Sequence, residues 1–89
     1  MTEHELKTWP KYFEAIITGK KNFDIRRSGD MCDRRFLTGD TLLLREWNPE
    51  SEEYTGRKFC VNVDSVYKDF PWGGIVGGYV IMSISPAGR

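Results

Sequence analysis

The sequence has few ligands for metals, no excess of either charge and no long apolar run, and each shortage removes a class of protein. The two cysteines, Cys32 and Cys60, lack CxxC spacing, and His4 is the sole histidine. Neither a zinc site nor a disulfide framework is expected, and no cofactor is implied. A reduced, cytoplasmic setting follows from the same scarcity. No stretch approaches the roughly 18 consecutive apolar residues of a membrane span. Thr2, Glu3 and His4 stand where a leader would place basic and then apolar residues, so no membrane partner is expected.

Thirteen basic residues balance thirteen acidic ones, which excludes coating of duplex nucleic acid by bulk charge. Any such contact must come from a local patch. Lys20, Lys21, Arg26, Arg27, Arg34 and Arg35 cluster in one stretch, and Glu46, Glu50, Glu52 and Glu53 crowd the next. One side should be positive and another negative.

What is present suffices for one core. Hydrophobic residues make up 39% and aromatics 13% of 89 residues, enough to offset the ordering entropy of a single small domain. That domain is expected over 1–89, with its core at 4–84, a loose tail over 85–89, and a monomeric state.

Residues His4 to Thr8 suit a brief edge strand. Thr8 as a cap, Pro10 in the first turn, and Trp9, Phe13, Ile16 and Ile17 at i, i+4, i+7 and i+8 predict a helix that buries those four residues. Gly19 offers a left-handed stop near Thr18, and Lys20 and Lys21 place positive charge beside the helix end. Phe23-Asp24-Ile25-Arg26 alternates with period two, so Asp24 and Arg26 share one face and Phe23 and Ile25 the other. A polar loop runs from Arg27 to Phe36, with a turn at Gly39-Asp40.

Thr41 to Trp47, nearly apolar through Leu42, Leu43 and Leu44, reads as a strand buried on both faces. It ends at Asn48-Pro49, and the polar run to Gly56 reads as a hairpin connection. Phe59, Val61 and Val63 then mark a second long strand, and Tyr79 to Ile84 the last. Five to six mostly antiparallel strands in so short a chain leave exposed edges unless the sheet closes. The expected fold is therefore α+β: a small β-barrel with one main N-terminal helix packed against it.

Gly19-Lys20-Lys21-Asn22-Phe23-Asp24-Ile25-Arg26 resembles the ASCH motif GxKxxExR, with Asp24 in place of the usual glutamate. His4 to Pro10, Phe36 ahead of Gly39-Asp40, Tyr54-Thr55-Gly56-Arg57 and Gly78-Tyr79-Val80-Ile81 extend the likeness to the small phage and bacterial ASCH-related family labelled domain of unknown function 3850. The resemblance covers about His4 to Ile84 and implies a PUA-like barrel, which relatives use to hold RNA, modified bases or nucleosides in a cleft beside the helix. Fold analogy does not itself establish function.

On that reading Lys21 and Arg26 donate to phosphate or a base carbonyl, and Asp24 accepts from an exocyclic amine. Lys7, Arg34, Trp72 and Tyr79 complete the candidate set, the aromatics by stacking on bases. Each has a plainer alternative. Asp24 and Arg26 form a strand-positioning ion pair, Lys21 compensates the helix dipole, Arg34 belongs to a solvated loop, and Trp47, Trp72 and Tyr79 pack the core. His4 and Lys7 suit the surface.

Some ASCH relatives hydrolyse an acylated cytidine. The resemblance implies a pattern of the motif lysine, a threonine where this chain has Asp24, and a glutamate from a later connection. Only Lys21 is present, no glutamate follows Glu53, and Asp64 or Asp69 would have to supply the acid–base partner. Other ASCH domains are associated with RNA cleavage, for which His4 is the lone imidazole. The expectation is a binder of RNA or of a modified nucleoside, with no catalytic residue. The alternatives are an amidohydrolase acting on an acylated cytidine nucleoside, and a phage-type protein that binds a host protein through the Glu46–Glu53 hairpin.

Overall fold

The computed structural model describes residues 2–27, 35–68 and 78–87. Five strands and one helix follow in the order β1 (Glu3–Thr8), α1 (Pro10–Ile17), β2 (Phe23–Arg27), β3 (Thr41–Asn48), β4 (Glu53–Tyr67) and β5 (Tyr79–Pro86). The strands form one sheet ordered β1-β3-β4-β5-β2. The β1–β3 pair is parallel, with Lys7 opposite Arg45, and the remaining pairs are antiparallel.

Alternation along the strands builds the core. Leu6, Leu42, Leu44, Val61, Val63, Val80, Met82 and Ile84 point inward, and Phe13 and Ile16 of α1 close over them with Phe36. Leu43 is half-buried, so β3 has one buried face where burial on both was expected.

The expected closed barrel is corrected to a curled half-barrel. β1 and β2 are both edges with no ladder between them. They are instead bridged by one side chain, as Arg26 donates from a terminal nitrogen to the Lys7 carbonyl at 3.0 Å and from the other to Thr8 Oγ1 at 3.3 Å. A guanidinium fork supplies several fixed donors, enough to join two edges that backbone pairing does not.

Other boundaries move as well. Pro10 opens the helix with Trp9 at its N-cap, in extended backbone (φ −65°, ψ 150°) and with no side-chain cap bond. Thr8 therefore belongs to β1 and does not cap. Trp9, expected in the core, is 53% exposed, because its extended backbone takes it out of the helical repeat that buries Phe13 and Ile16. β4 begins at Glu53, so the connection is the short Asn48–Glu53 turn, held by Glu50 N–H on Asn48 Oδ1 at 2.9 Å. β5 runs on to Pro86, and the Ala87 N–H donates to the Cys60 carbonyl at 3.0 Å. None of the helices among the described residues is long and apolar enough to cross a membrane.

Two buried carboxylates fasten the fold. Asp40 accepts from Thr2 N–H, Leu37 N–H and His4 Nε2 at 2.9–3.0 Å. Burial pushes its pKa up, but the hydrogen bonds from His4, Thr2 and Leu37 outweigh that and hold it below the ordinary value. Glu46 accepts from Arg57 through Nε and a terminal nitrogen, both at 2.9 Å, and from Thr55 Oγ1 at 2.6 Å. The Arg57 and then the Thr55 bonds hold its carboxyl below the usual range against the cost of burial. Arg57 also reaches Glu14 of α1 at 3.1 Å, tying hairpin to helix.

Candidate functional site

The half-barrel leaves a cleft of about 590 Å³ where the end of β1, the start of α1 and strand β2 meet. That volume lies within the range of small-molecule sites. Its position follows from local structure. α1 stops at Thr18, Gly19 takes φ +84°, and the Lys21 N–H closes onto the Ala15 carbonyl at 3.0 Å. The chain thus turns back and lays β2 beside the helix.

Asp24 is the buried residue of β2, 4% exposed, whereas Phe23 and Ile25 are each 42% exposed. The alternation was legible, but its polarity is the reverse of the hydrophobic-in rule. Asp24 is held inward by three local groups. Its Oδ1 accepts from the Ile25 N–H at 3.0 Å, its Oδ2 accepts from Arg26 Nε at 3.0 Å, and Lys21 Nζ lies 4.0 Å from Oδ1. A carboxylate has about four lone-pair sites. Two hydrogen bonds and one long ion pair leave it able to accept from a ligand.

Lys21, Asp24 and Arg26 do converge on one hollow, but they are not equivalent. Arg26 is engaged by Asp24, Lys7 and Thr8, so its visible work is to position the carboxylate and close the seam. Lys21 is less committed. Its ammonium lies 4.7 Å from the Tyr12 ring centroid and 5.3 Å from that of Phe23, with 19% of its side chain exposed. Lys21 thus lines the cleft with two aromatic rings and one carboxylate oxygen at 4.0 Å beside its ammonium.

Lys7 also lines the cleft. Tyr79 does not. It stands on the outer face of β5 opposite Arg27, whose guanidinium lies 6.0 Å from its ring. Arg34 and Trp72 lie outside the described residues. His4 is turned into the Asp40 cluster and packs on Phe36, with ring centroids 4.6 Å apart, away from the cleft. Asp64, considered as a substitute acid–base group, accepts from Ser85 Oγ on the exposed side of β4 and is not among the residues lining the cleft; Asp69 lies outside the described residues. Of the acidic hairpin residues, Glu46 is buried and paired with Arg57 at 2.9 Å.

Trp9 and Tyr12 form the exposed aromatic wall, and sequence reasoning had put the first in the core and passed over the second. One signal was available: an aromatic pair at i and i+3, one residue off the Phe13–Ile16 core stripe, marks a second face. Thr8 was likewise missed as the acceptor that fixes Arg26.

The family model described as "Domain of unknown function (DUF3850)" matches residues 3–84. The chain belongs to the DUF3850 family. The matched span contains every residue that lines the cleft. This DUF3850 chain is also similar to the "Uncharacterized 12.9 kDa protein in GpA 3'region" of Escherichia phage P2, at 36% identity over 69 residues. That match takes in 78% of the chain and 58% of the phage protein, so the chain spans less than two thirds of the relative's length.

Proposed function

We propose that this DUF3850 domain binds a base of single-stranded RNA, or a modified nucleoside, in the cleft between α1 and β2. The observation that carries the reading is the joint placement of a buried carboxylate with acceptor capacity, an ammonium 4.0 Å from it, and a wall of exposed aromatic rings on one concavity. An aromatic face stacks on any base, a carboxylate accepts from an exocyclic amine, and an ammonium donates to a base carbonyl or phosphate oxygen. Lys21 and Arg26 against Asp24 leave the cleft lining with an excess of positive charge, which suits a phosphate-bearing ligand.

Membership of the ASCH and PUA-like superfamily is part of the same proposal, as is a cytoplasmic place of action. Hydrolysis of an acylated cytidine is the less favoured reading, because Asp24 already receives Arg26 and Ile25, and Asp64 is not at the cleft.

An NMR titration of isotope-labelled protein with nucleosides and short single-stranded RNAs tests the proposal. Saturable shifts at Trp9, Tyr12, Lys21 and Asp24 are expected. Shifts confined to the Asn48–Glu53 turn, or none at millimolar ligand, would reject it. Turnover of acetylcytidine by the same sample would select the hydrolytic reading.

A further inference from the structure

The outer face of the sheet next to the cleft carries a second aromatic surface that base binding in the cleft does not use. Trp47 of β3 and Tyr54 of β4 are cross-strand partners immediately beyond a β-bulge in the β3–β4 ladder. Bulges re-aim side chains at sheet margins and beside functional sites. Here the extra residues on β4 include Gly56 at φ +99°. Glu46 and Thr8 turn inward, so Lys7, Arg45 and Trp47 share the outward face by strand alternation.

Cations are laid along these rings. Lys7 Nζ lies 4.5 Å from the Trp47 ring, and the Arg45 guanidinium lies 3.8 Å from that of Tyr54. Lys58 stands directly opposite Arg45 and is exposed. Glu5 takes Arg45 at 3.2 Å in an exposed ion pair, so Lys7, Arg45 and Lys58 share this face with Glu5, and the exposed Glu50, Glu52 and Glu53 follow in the adjoining turn and at the start of β4. α1 packs on the other side of the sheet, so it does not cover this face.

We propose that the Trp47–Tyr54 surface is a second base-stacking platform, continuous with the cleft through Lys7, and that the ligand is a single-stranded oligonucleotide that passes from one to the other. The proposal rests on the base-binding reading of the cleft and deepens it. Lys7 belongs to both surfaces, lining the cleft and lying over Trp47. It stands where the phosphate between two stacked bases must be neutralised. Interleaved aromatics and cations are the usual means of holding a single strand without reading its sequence.

The test measures binding of RNA oligomers from one to four nucleotides, by calorimetry, to wild-type protein and to Trp47→Leu and Lys58→Gln. Affinity is expected to rise about tenfold or more between one and three nucleotides. Trp47→Leu should remove about tenfold of the trinucleotide affinity, the effect of one lost stack, and leave mononucleotide binding unchanged. Lys58→Gln, a surface change that spares folding, should weaken the trinucleotide a few-fold and reduce the salt dependence. Equal gains with DNA support the same platform, since stacking and phosphate contacts do not read the 2′-hydroxyl. Mononucleotide binding with no gain in length, or equal loss of both ligands in Trp47→Leu, would overturn the platform and leave the cleft reading intact. Failure of every nucleotide and oligomer to bind would overturn the cleft reading itself.

Discussion

Asp40 and Asp24 are both buried aspartates, and the difference between their surroundings separates a fastening from a site. Asp40 accepts three hydrogen bonds, from two backbone N–H groups and an imidazole, and is not among the described residues that line the cleft. Asp24 accepts two, with an ammonium 4.0 Å away, and lines a cleft of about 590 Å³. Glu46 resembles Asp40, with three bonds from Arg57 and Thr55. Burial of a carboxylate therefore says little about function. Unused acceptor capacity facing an opening says more.

The largest expected effect breaks the comparison on the structural side. Asp40→Ala leaves two part-buried N–H groups and the His4 ring without their acceptor and should cost roughly 1–3 kcal/mol of stability. It should not touch cleft affinity; urea denaturation beside a ligand titration reads both. On the other side, Lys21→Ala should weaken ligand binding by about 1–3 kcal/mol, as expected for one polar ligand contact, with little change in stability. Equal loss of melting temperature and no loss of affinity would return Lys21 to a structural role.

A third, smaller effect concerns pH. The carboxyls of Asp40 and Glu46 are held below their ordinary values of 3.8 and 4.5 in the folded chain. The unfolded chain thus binds more protons in that range, and stability rises with pH there. The contribution is present above about pH 4.5 and is lost as pH falls through the folded pKa values. Glu46→Gln should flatten the acid limb of the stability curve, measured by urea midpoints from pH 6 to pH 2. An unchanged slope would show that Glu46 is not one of the groups responsible. The smallest effect is expected at Tyr79, which stands off the cleft beside Arg27. Tyr79→Leu should change cleft affinity by less than about 0.5 kcal/mol, the ordinary range of a surface substitution away from a site.

Much of this was legible before any coordinates. The helix was readable from Pro10, Phe13 and Ile16, its stop from Gly19, and β2 from the period-two run after Asn22. The convergence of Lys21, Asp24 and Arg26 followed from their closeness in sequence across one turn. Trp9 was misplaced because Pro10 starts the helix one residue later than the apolar spacing implied, and an N-cap residue in extended backbone does not share the helical phase. The alternation of β2 left open whether Phe23 and Ile25 or Asp24 and Arg26 would face inward. Phe23 and Ile25 lie outward because Asp24 and Arg26 turn inward, where Arg26 meets the Thr8 hydroxyl across the seam, a partner 18 residues earlier in the chain.

By itself the sequence determined the repeat of each element, the positions of its turns, and the cluster of charge that follows the helix. These depend on local dihedral preference and side-chain spacing. Only the tertiary structure decided which face of β2 turns inward, that the sheet's two edges meet through Arg26 and not through a ladder, and that Trp9 and Tyr12 wall an open cleft. Burial is a property of what distant segments lay across a face, and no local period carries that information.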